Sequence, residues 1–251
     1  MNNLPRILFT GPFNEDHIII SFSPVSNRKI DPLIESRLEK EWEDIMKKAK
    51  ESGKLAFDAD TFRLDTYRID NHELYLEVSN LRFSKRKPLK DMVSELIPLG
   101  EAYFPKGMSI GGFIKTTDDK YIFGQRNGRS LTKTTQDFIG GIVQPEKLDS
   151  GRDLFGANYQ EIDEELNIPK SKITSMCLLG VVLSNTSDVI CVMDTHLSLT
   201  LAEVNMLFRD RKDAEMDSIV VIEKKALEQY MQTLGGYKPC AFTLFQSVYS
   251  P

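Results

Sequence analysis

The sequence predicts an α/β fold in two parts, and three observations support this prediction. Apolar runs of strand length recur between residues 110 and 222. An acidic segment of helical character, residues 160–168, interrupts these runs. The residues before 106 have strands and a long amphipathic helix of their own. We therefore expect a small α+β domain over residues 1–105, followed by an α/β domain over residues 106–251.

The N-terminal part is predicted to contain one helix with clear start and stop signals. Asp31 followed by Pro32 is typical of a helix start, with the Asp side chain as the N-cap. Gly53 is the expected stop. Between them lies an apolar stripe at helical spacing, formed by Ile34, Leu38, Trp42, Ile45, Met46 and Ala49. We interpret Trp42 as a core residue of this stripe.

The other N-terminal elements are predicted strands joined by turns. The strands are residues 6–10, 17–22, 62–69 and 73–78. Gly11-Pro12 is the expected turn between the first two, and Asp70-Asn71 is the expected turn between the last two. The basic run at residues 84–90 is interpreted as a solvated loop, with a phosphate contact as the alternative.

The C-terminal part begins with a predicted β-hairpin. Residues 110–115 and 121–126 form its strands, and residues 117–120 form the turn. Buried strands are predicted at residues 178–183 and 189–193. The later elements are a polar-apolar segment at residues 199–208, a strand at 219–222 and a helix at 224–234.

The acidic helix holds the main candidates for chemistry. Glu161, Glu164 and Glu165 are spaced i, i+3 and i+4, which places them on one face of a helix. They fall in its last turns, where the negative end of the macrodipole makes each acid unfavourable by roughly 0.3 to 1 kcal/mol. A bound cation would offset this cost, and oxygen ligands suit Mg²⁺ or Mn²⁺. The alternative is a solvated acidic face.

The segment that starts at Gly140-Gly141 resembles the Nudix box, G-x5-E-x7-R-E-U-x-E-E-x-G-U, where U is a bulky aliphatic residue. Gly141 matches the opening glycine, and the tail is matched by Glu161, Ile162, Glu164, Glu165 and Ile168. Gly141 and Glu161 are 20 positions apart where the box has 15, so the loop carries five extra residues.

Three residue types also depart from the box. The family's arginine is Gln160 here, and its glycine is Asn167. Asparagine also tolerates the left-handed conformation that ends a helix, whereas glutamine replaces the ion pairs of an arginine only in part. The early glutamate of the box has no aligned match, and Glu146 and Asp149 are the nearest candidates.

The resemblance to Nudix hydrolases implies an α/β/α sandwich with a mixed sheet, preceded here by the small α+β domain. It also implies Mg²⁺-dependent hydrolysis of a nucleoside diphosphate linked to another group, with Mn²⁺ as a possible substitute. By resemblance, Glu161 and Glu165 are metal ligands, and Glu164 is a further ligand or the base; all three are assigned to the catalytic site. The predicted substrate-binding residues are Arg126, Gly140 and Gly141. The alternative for Arg126 is a surface arginine at a strand end, and we interpret Asp217 as a turn residue.

The N-terminal part makes the resemblance more specific. Its segments Trp42-Glu43, Phe57-Asp58-Ala59 and Phe62-Arg63-Leu64 are similar to those of the animal Nudix proteins that split UDP-glucose and UDP-galactose. The favoured substrate is therefore a nucleotide sugar such as UDP-glucose. The alternatives are ADP-ribose or a dinucleotide, or an inactive Nudix module that binds a nucleotide or a partner. Gln160, the missing early glutamate of the box and the longer loop motivate the inactive alternative.

Composition agrees with a soluble enzyme, and we expect a cytoplasmic location. The net charge of −5 argues against broad binding to nucleic acid or anionic membrane. The cysteines Cys177, Cys191 and Cys240 are widely spaced and are expected to be reduced. We expect neither a secretory signal nor a membrane span, because the first residues lack a charged region followed by a long apolar stretch and no apolar run reaches membrane-spanning length. The sequence does not predict the oligomeric state.

Overall fold

The computed structural model describes residues 4–54, 57–127, 136–145, 154–211 and 216–249. The strands in these ranges are β1 (Arg6–Phe13), β2 (Ile18–Ser23), β3 (Asp60–Asp70), β4 (Glu73–Arg82), β5 (Met108–Lys115), β6 (Lys120–Arg126), β7 (Gln136–Asp137), β8 (Ile173–Leu183), β9 (Val189–Leu197) and β10 (Met216–Glu223). The helices are α1 (Pro32–Glu51), α2 (Phe83–Asp91), α3 (Val93–Leu96), α4 (Leu154–Leu166), α5 (Leu201–Arg209), α6 (Leu227–Leu234) and α7 (Lys238–Tyr249). None of these helices is long and apolar enough to cross a membrane.

A large mixed sheet organises the C-terminal part. Its strand order is β1-β8-β9-β5-β6-β10, and the short β7 pairs with β6. Strand β5 runs parallel to β9, and the other described pairings are antiparallel. The hairpin predicted from the sequence is present as β5 and β6, and the predicted buried strands are β8 and β9.

Helices cover both faces of this sheet. Successive strand residues point to opposite faces, and β5 shows the consequence. Phe113 packs in a cluster with Leu227 of α6 and residues of α7. The next residue, Ile114, packs in a different cluster with Ile162 of α4 and Val204 of α5. The predicted α/β/α arrangement with a mixed sheet is therefore confirmed.

Helix α4 ends where the sequence indicates. Asn167 follows the last helical residue and has a φ of 57°, which is the left-handed conformation. Its amide N donates to the carbonyl oxygen of Asp163 at 2.8 Å, and its side-chain Nδ2 donates to the carbonyl oxygen of Leu207 at 3.2 Å. Asn167 thus adopts the left-handed conformation in place of the glycine of the Nudix box, and its side chain also binds the helix end to α5.

The N-terminal part has a small sheet of its own, in the order β2-β4-β3. The predicted cap of α1 is confirmed, because the Asp31 carboxylate accepts from the amide nitrogens of Leu33 at 2.9 Å and Ile34 at 3.1 Å. The turn between β3 and β4 lies one residue later than expected. Asn71 and His72 have φ values of 48° and 70°, which matches a two-residue hairpin turn of type I′.

The prediction of a turn at Gly11-Pro12 is wrong. Both residues lie inside β1, which pairs antiparallel with β8 at the edge of the large sheet. Burial of Phe9 and Phe13 against that sheet outweighs the local turn signal. Strand β1 therefore belongs to the large sheet, whereas β2 belongs to the small one.

The two parts of the chain share further contacts besides β1. The amide N of Phe62 on β3 donates to the carbonyl oxygen of Val143, two residues beyond the glycine pair, at 2.9 Å. One hydrophobic cluster includes Leu38 of α1, Leu76 of β4 and Val181 of β8. A domain boundary near residue 105 stays a prediction, but the packing is continuous across it.

The prediction of a solvated loop at residues 84–90 is also wrong, because these residues lie in α2. Arg86 on this helix is 1% exposed and binds Asp188 in the connection between β8 and β9. Its Nε and Nη2 atoms donate to the Asp188 carboxylate at 3.2 and 2.9 Å. Nη1 donates to the Met108 carbonyl oxygen at 3.0 Å, and Nη2 also donates to that of Gly107 at 3.1 Å. Arg86 therefore binds helix α2 of the N-terminal part to the large sheet.

Candidate active site

The glycine pair predicted to meet the substrate is held against β5. The amide N of Ile110 donates to the carbonyl oxygen of Gly141 at 2.8 Å. Isolated bridges join Gly112 to Ile139 and Ser109 to Ile142 on either side. Gly140 has a φ of 146°, and a Cβ there would lie 2.7 Å from the Cα of Gly111. Only glycine fits this position, because both the conformation and the close approach exclude a side chain.

Two of the three predicted glutamates face this pair. Glu161 is 8% exposed and Glu165 is 4% exposed. The amide N of Gly140 donates to Oε2 of Glu165 at 2.9 Å. A Cβ at Gly141 would lie 2.5 Å from the Cδ of Glu161, so its carboxyl group rests directly on the glycine backbone. Adjacent turns of α4 thus bring two buried carboxylates to one backbone segment.

Glu164 lies apart from this arrangement. Its side chain is exposed, and its Oε1 accepts from Nε2 of Gln160 at 2.8 Å. The residue that replaces the family's arginine therefore bonds to the glutamate on the solvent side of α4. Assignment of Glu164 as a metal ligand or as the base stays a prediction.

The buried pair suits a hard divalent cation. Mg²⁺ is commonly held by one or two carboxylates, with water and substrate phosphates as its other ligands. Glu161 and Glu165 supply two carboxylates, so the donor set fits. Within the part of the chain that is described, there is no group of three or more His, Cys, Asp or Glu side chains arranged to hold a metal. Glu146 and Asp149, the candidates for the early box glutamate, lie outside the described residues.

Arg126 is the last residue of β6. Ile122 of the same strand packs with Ile162 of α4, and the two-residue period of a strand places Arg126 on the face of Ile122. Its proposed contact with phosphate stays a prediction. Asp217 is exposed and lies within β10, at the irregularity between Met216 and Ser218, so its interpretation as a turn residue is wrong.

The structure also shows polar residues near the site that sequence patterns did not indicate. Asn158 on α4 is 2% exposed, and its Nδ2 lies 3.4 Å from Oγ1 of Thr195 on β9. Asp137, three residues before Gly140, pairs with Lys238 at the start of α7. Each pair joins residues far apart in the chain, so no local periodicity could have identified it.

Comparison with known proteins supports the resemblance found in the sequence. No family model matches the chain. The Mus musculus protein described as "Uridine diphosphate glucose pyrophosphatase NUDT22" is 22% identical over an alignment 255 positions long, which covers 89% of this chain and 82% of that protein. The Bos taurus protein of the same description is 24% identical over an alignment 152 positions long, which covers 53% of this chain and 52% of the relative. The predicted similarity to UDP-sugar-hydrolysing Nudix proteins, which are enzymes of the pyrophosphohydrolase class, is confirmed at low sequence identity.

Solved structures show a partial likeness to the chain. A MutT protein from Methanosarcina mazei Go1 has 15% sequence identity and a TM-score of 0.37, covering 58% of this chain and 96% of that one. DR0079 from Deinococcus radiodurans has 16% identity and a TM-score of 0.38, covering 51% of this chain and 73% of that one.

Proposed function

We propose that this protein is a Mg²⁺-dependent pyrophosphohydrolase that splits a nucleotide sugar, such as UDP-glucose, into UMP and the sugar 1-phosphate. The observation that carries the proposal is the placement of Glu161 and Glu165, both buried, against Gly140 and Gly141. Similarity to the mouse UDP-glucose pyrophosphatase over 89% of this chain supports the choice of substrate.

The arrangement meets the requirements of diphosphate hydrolysis. A diphosphate repels nucleophiles, so the reaction needs neutralised phosphoryl oxygens and a positioned water. A bound Mg²⁺ supplies charge neutralisation and makes water more acidic. Glu161 and Glu165 would hold the cation, and the side-chain-free glycine backbone lets phosphate oxygens approach closely. Arg126 would contribute a planar guanidinium that can bind phosphate in a bidentate manner.

The alternatives differ in the outcome that they predict. ADP-ribose or a dinucleotide would use the same carboxylates with a different nucleoside. An inactive module would bind a nucleotide without splitting it, and the presence of Gln160 in place of arginine favours this alternative. Burial of two like charges one turn apart favours the enzyme, because it destabilises a helix that has no cation to hold.

The proposal is tested by following product release from UDP-glucose, UDP-galactose, ADP-ribose and a dinucleotide polyphosphate, each with Mg²⁺ and with EDTA. We expect the UDP-sugars to have the highest kcat/KM and all turnover to stop in EDTA. A higher kcat/KM for ADP-ribose than for the UDP-sugars would favour ADP-ribose as the substrate. Nucleotide binding without turnover of any substrate would establish the inactive module instead.

The close contact between Gly141 and Glu161 gives a separate prediction. Gly141→Ala is expected to lower kcat at least about tenfold, because the new Cβ must displace the Glu161 carboxyl group. Gly53→Ala is the control. Gly53 has a φ of 65°, and a Cβ added to it would have no atom within 4 Å, so alanine strains the backbone there without touching the site. Equal activity of the Gly141→Ala and Gly53→Ala proteins in steady-state assays would show that the Glu161 position is not critical.

A further inference from the structure

Asp137 is the last residue of β7, three residues before the glycine pair, and it binds the start of helix α7. Its Oδ1 accepts from the amide N of Phe138 at 2.8 Å and from the hydroxyl of Tyr237 at 3.3 Å. The Nζ of Lys238 lies 2.7 Å from the same oxygen. Burial and the charge of Asp137 hold the pKa of Tyr237 well above its ordinary value, so its hydroxyl remains a donor at neutral pH. All three groups therefore fix one carboxylate oxygen.

Lys238 is an unusual residue to find in this place. It is 5% exposed, and lysine is rarely buried to that extent unless it is paired. It is the first residue of α7, and its Nζ also lies 4.1 Å from the ring centroid of Tyr237. Apolar side chains of α7, among them Phe242 and Leu244, also pack against the sheet.

The residues that follow Asp137, up to and including Gly140, are fixed in turn. The Phe138 ring packs against Phe113 and Phe123, with centroids 5.2 and 5.7 Å apart. Ile139 bridges to Gly112 on β5. Gly140 then donates its amide hydrogen to Glu165. A displacement of Asp137 therefore reaches Gly140 through a segment with little freedom to absorb it.

We propose that Lys238 is a positioning residue for the glutamate site, and that it acts through Asp137 to set the Gly140 amide against Glu165. Its effect on catalysis rests on the proposed function, whereas its effect on the Gly140 amide does not. Lys238 is not assigned a contact with substrate. Its role is to hold in place the strand that delivers the glycine pair to α4.

The test compares Lys238→Met, Lys238→Arg, Asp137→Asn and the double variant Asp137→Asn/Lys238→Met. Lys238→Met is expected to lower kcat about tenfold with KM within about twofold, because the site is misaligned and not deprived of a substrate contact. Lys238→Arg should recover most of kcat. In the Asp137→Asn background, Lys238→Met should lower kcat little further, since the effects of substitutions at two residues that share one contact are not additive.

A second readout is amide hydrogen exchange at Gly140, followed by NMR in the full chain without metal. Lys238→Met should accelerate this exchange at least about tenfold, because the bond to Glu165 opens more often. Lys87→Met is the matched control, since it breaks the Lys87–Asp91 pair on α2 and should change neither readout. Melting temperatures measured alongside separate this local opening from a loss of global stability.

The possible outcomes separate the two proposals. Unchanged Gly140 exchange in Lys238→Met would overturn the positioning role, and so would a raised KM with unchanged kcat, which would indicate direct contact with substrate. Faster Gly140 exchange in a protein whose wild type splits no nucleotide would support the positioning role and refute the proposed function.

Discussion

Replacement of Glu165 by Gln is expected to lower kcat for nucleotide-sugar hydrolysis at least about a hundredfold, because the site loses one of its two buried negative charges. The local structure should survive, since the glutamine Oε1 can still accept the Gly140 amide hydrogen that Glu165 accepts. In metal-free buffer the melting temperature should stay equal or rise, because the like-charge repulsion between Glu161 and residue 165 is relieved.

Asp163→Asn is the matched control for this variant. Asp163 lies on the same helix, and its replacement removes the same charge, but its side chain is exposed. Steady-state kinetics should give a kcat for Asp163→Asn within about twofold of wild type. Full activity of Glu165→Gln under the same conditions would contradict the catalytic assignment and favour the binding module.

Replacement of Arg86 by Met is expected to give the largest loss of stability. The substitution removes the bidentate partner of the buried Asp188 carboxylate and leaves only Lys90, whose Nζ lies 2.6 Å from Oδ2, to balance its charge. Removal of one member of a buried ion pair typically costs about 3 to 5 kcal/mol of unfolding free energy. In a chain of this size, that corresponds to a fall in Tm of roughly 10 °C.

The control for Arg86 is Arg37→Met. Arg37 pairs with Glu95 between α1 and the short α3, but both side chains are nearly half exposed. Exposed pairs contribute little to stability, so the melting temperature should be nearly unchanged in a calorimetric scan. Equal effects of the two substitutions would show that Arg86 does not tie the N-terminal part to the large sheet.

The ion pair between Arg86 and Asp188 predicts that the protein loses stability in acid. Burial alone would raise the pKa of Asp188, but the charges of Arg86 and Lys90 outweigh it and lower the pKa below the ordinary value. The contribution of Asp188 to stability is therefore complete above the unfolded-state pKa of about 3.9 and is lost as pH falls below it. Urea unfolding should show the stability difference between wild type and Asp188→Asn shrinking from pH 6 to pH 3. A constant difference would contradict this assignment.

Local signals in the sequence predicted the elements that depend on neighbouring residues. The cap at Asp31, the hairpin of β5 and β6, and the end of α4 at Asn167 are set by side chains within a few positions. The pairing of β1 with β8 and the bond between Arg86 and Asp188 could not be predicted in this way. Both join residues more than a hundred positions apart, so they depend on the completed fold.

Helical spacing explains why the sequence predicts one site for the three glutamates and why Glu164 lies apart from Glu161 and Glu165 in the structure. At about 100° per residue, Glu161 and Glu165 point within about 40° of each other, whereas Glu164 is about 60° from Glu161 and about 100° from Glu165. All three belong to one broad face, as the spacing predicts. The glycine pair is narrow, however, and covers only the Glu161 and Glu165 edge of that face. The sequence does not reveal where this edge lies.

The most direct test of the site is anomalous diffraction from crystals of the full chain soaked in Mn²⁺. The proposed function predicts an anomalous peak about 2.2 Å from carboxylate oxygens of both Glu161 and Glu165, beside the Gly140-Gly141 backbone. The peak should disappear from crystals of Glu165→Gln and persist in those of Asp163→Asn. Absence of a peak at these carboxylates in wild-type crystals, at a Mn²⁺ concentration that supports turnover in solution, would contradict the assignment of Glu161 and Glu165 as metal ligands.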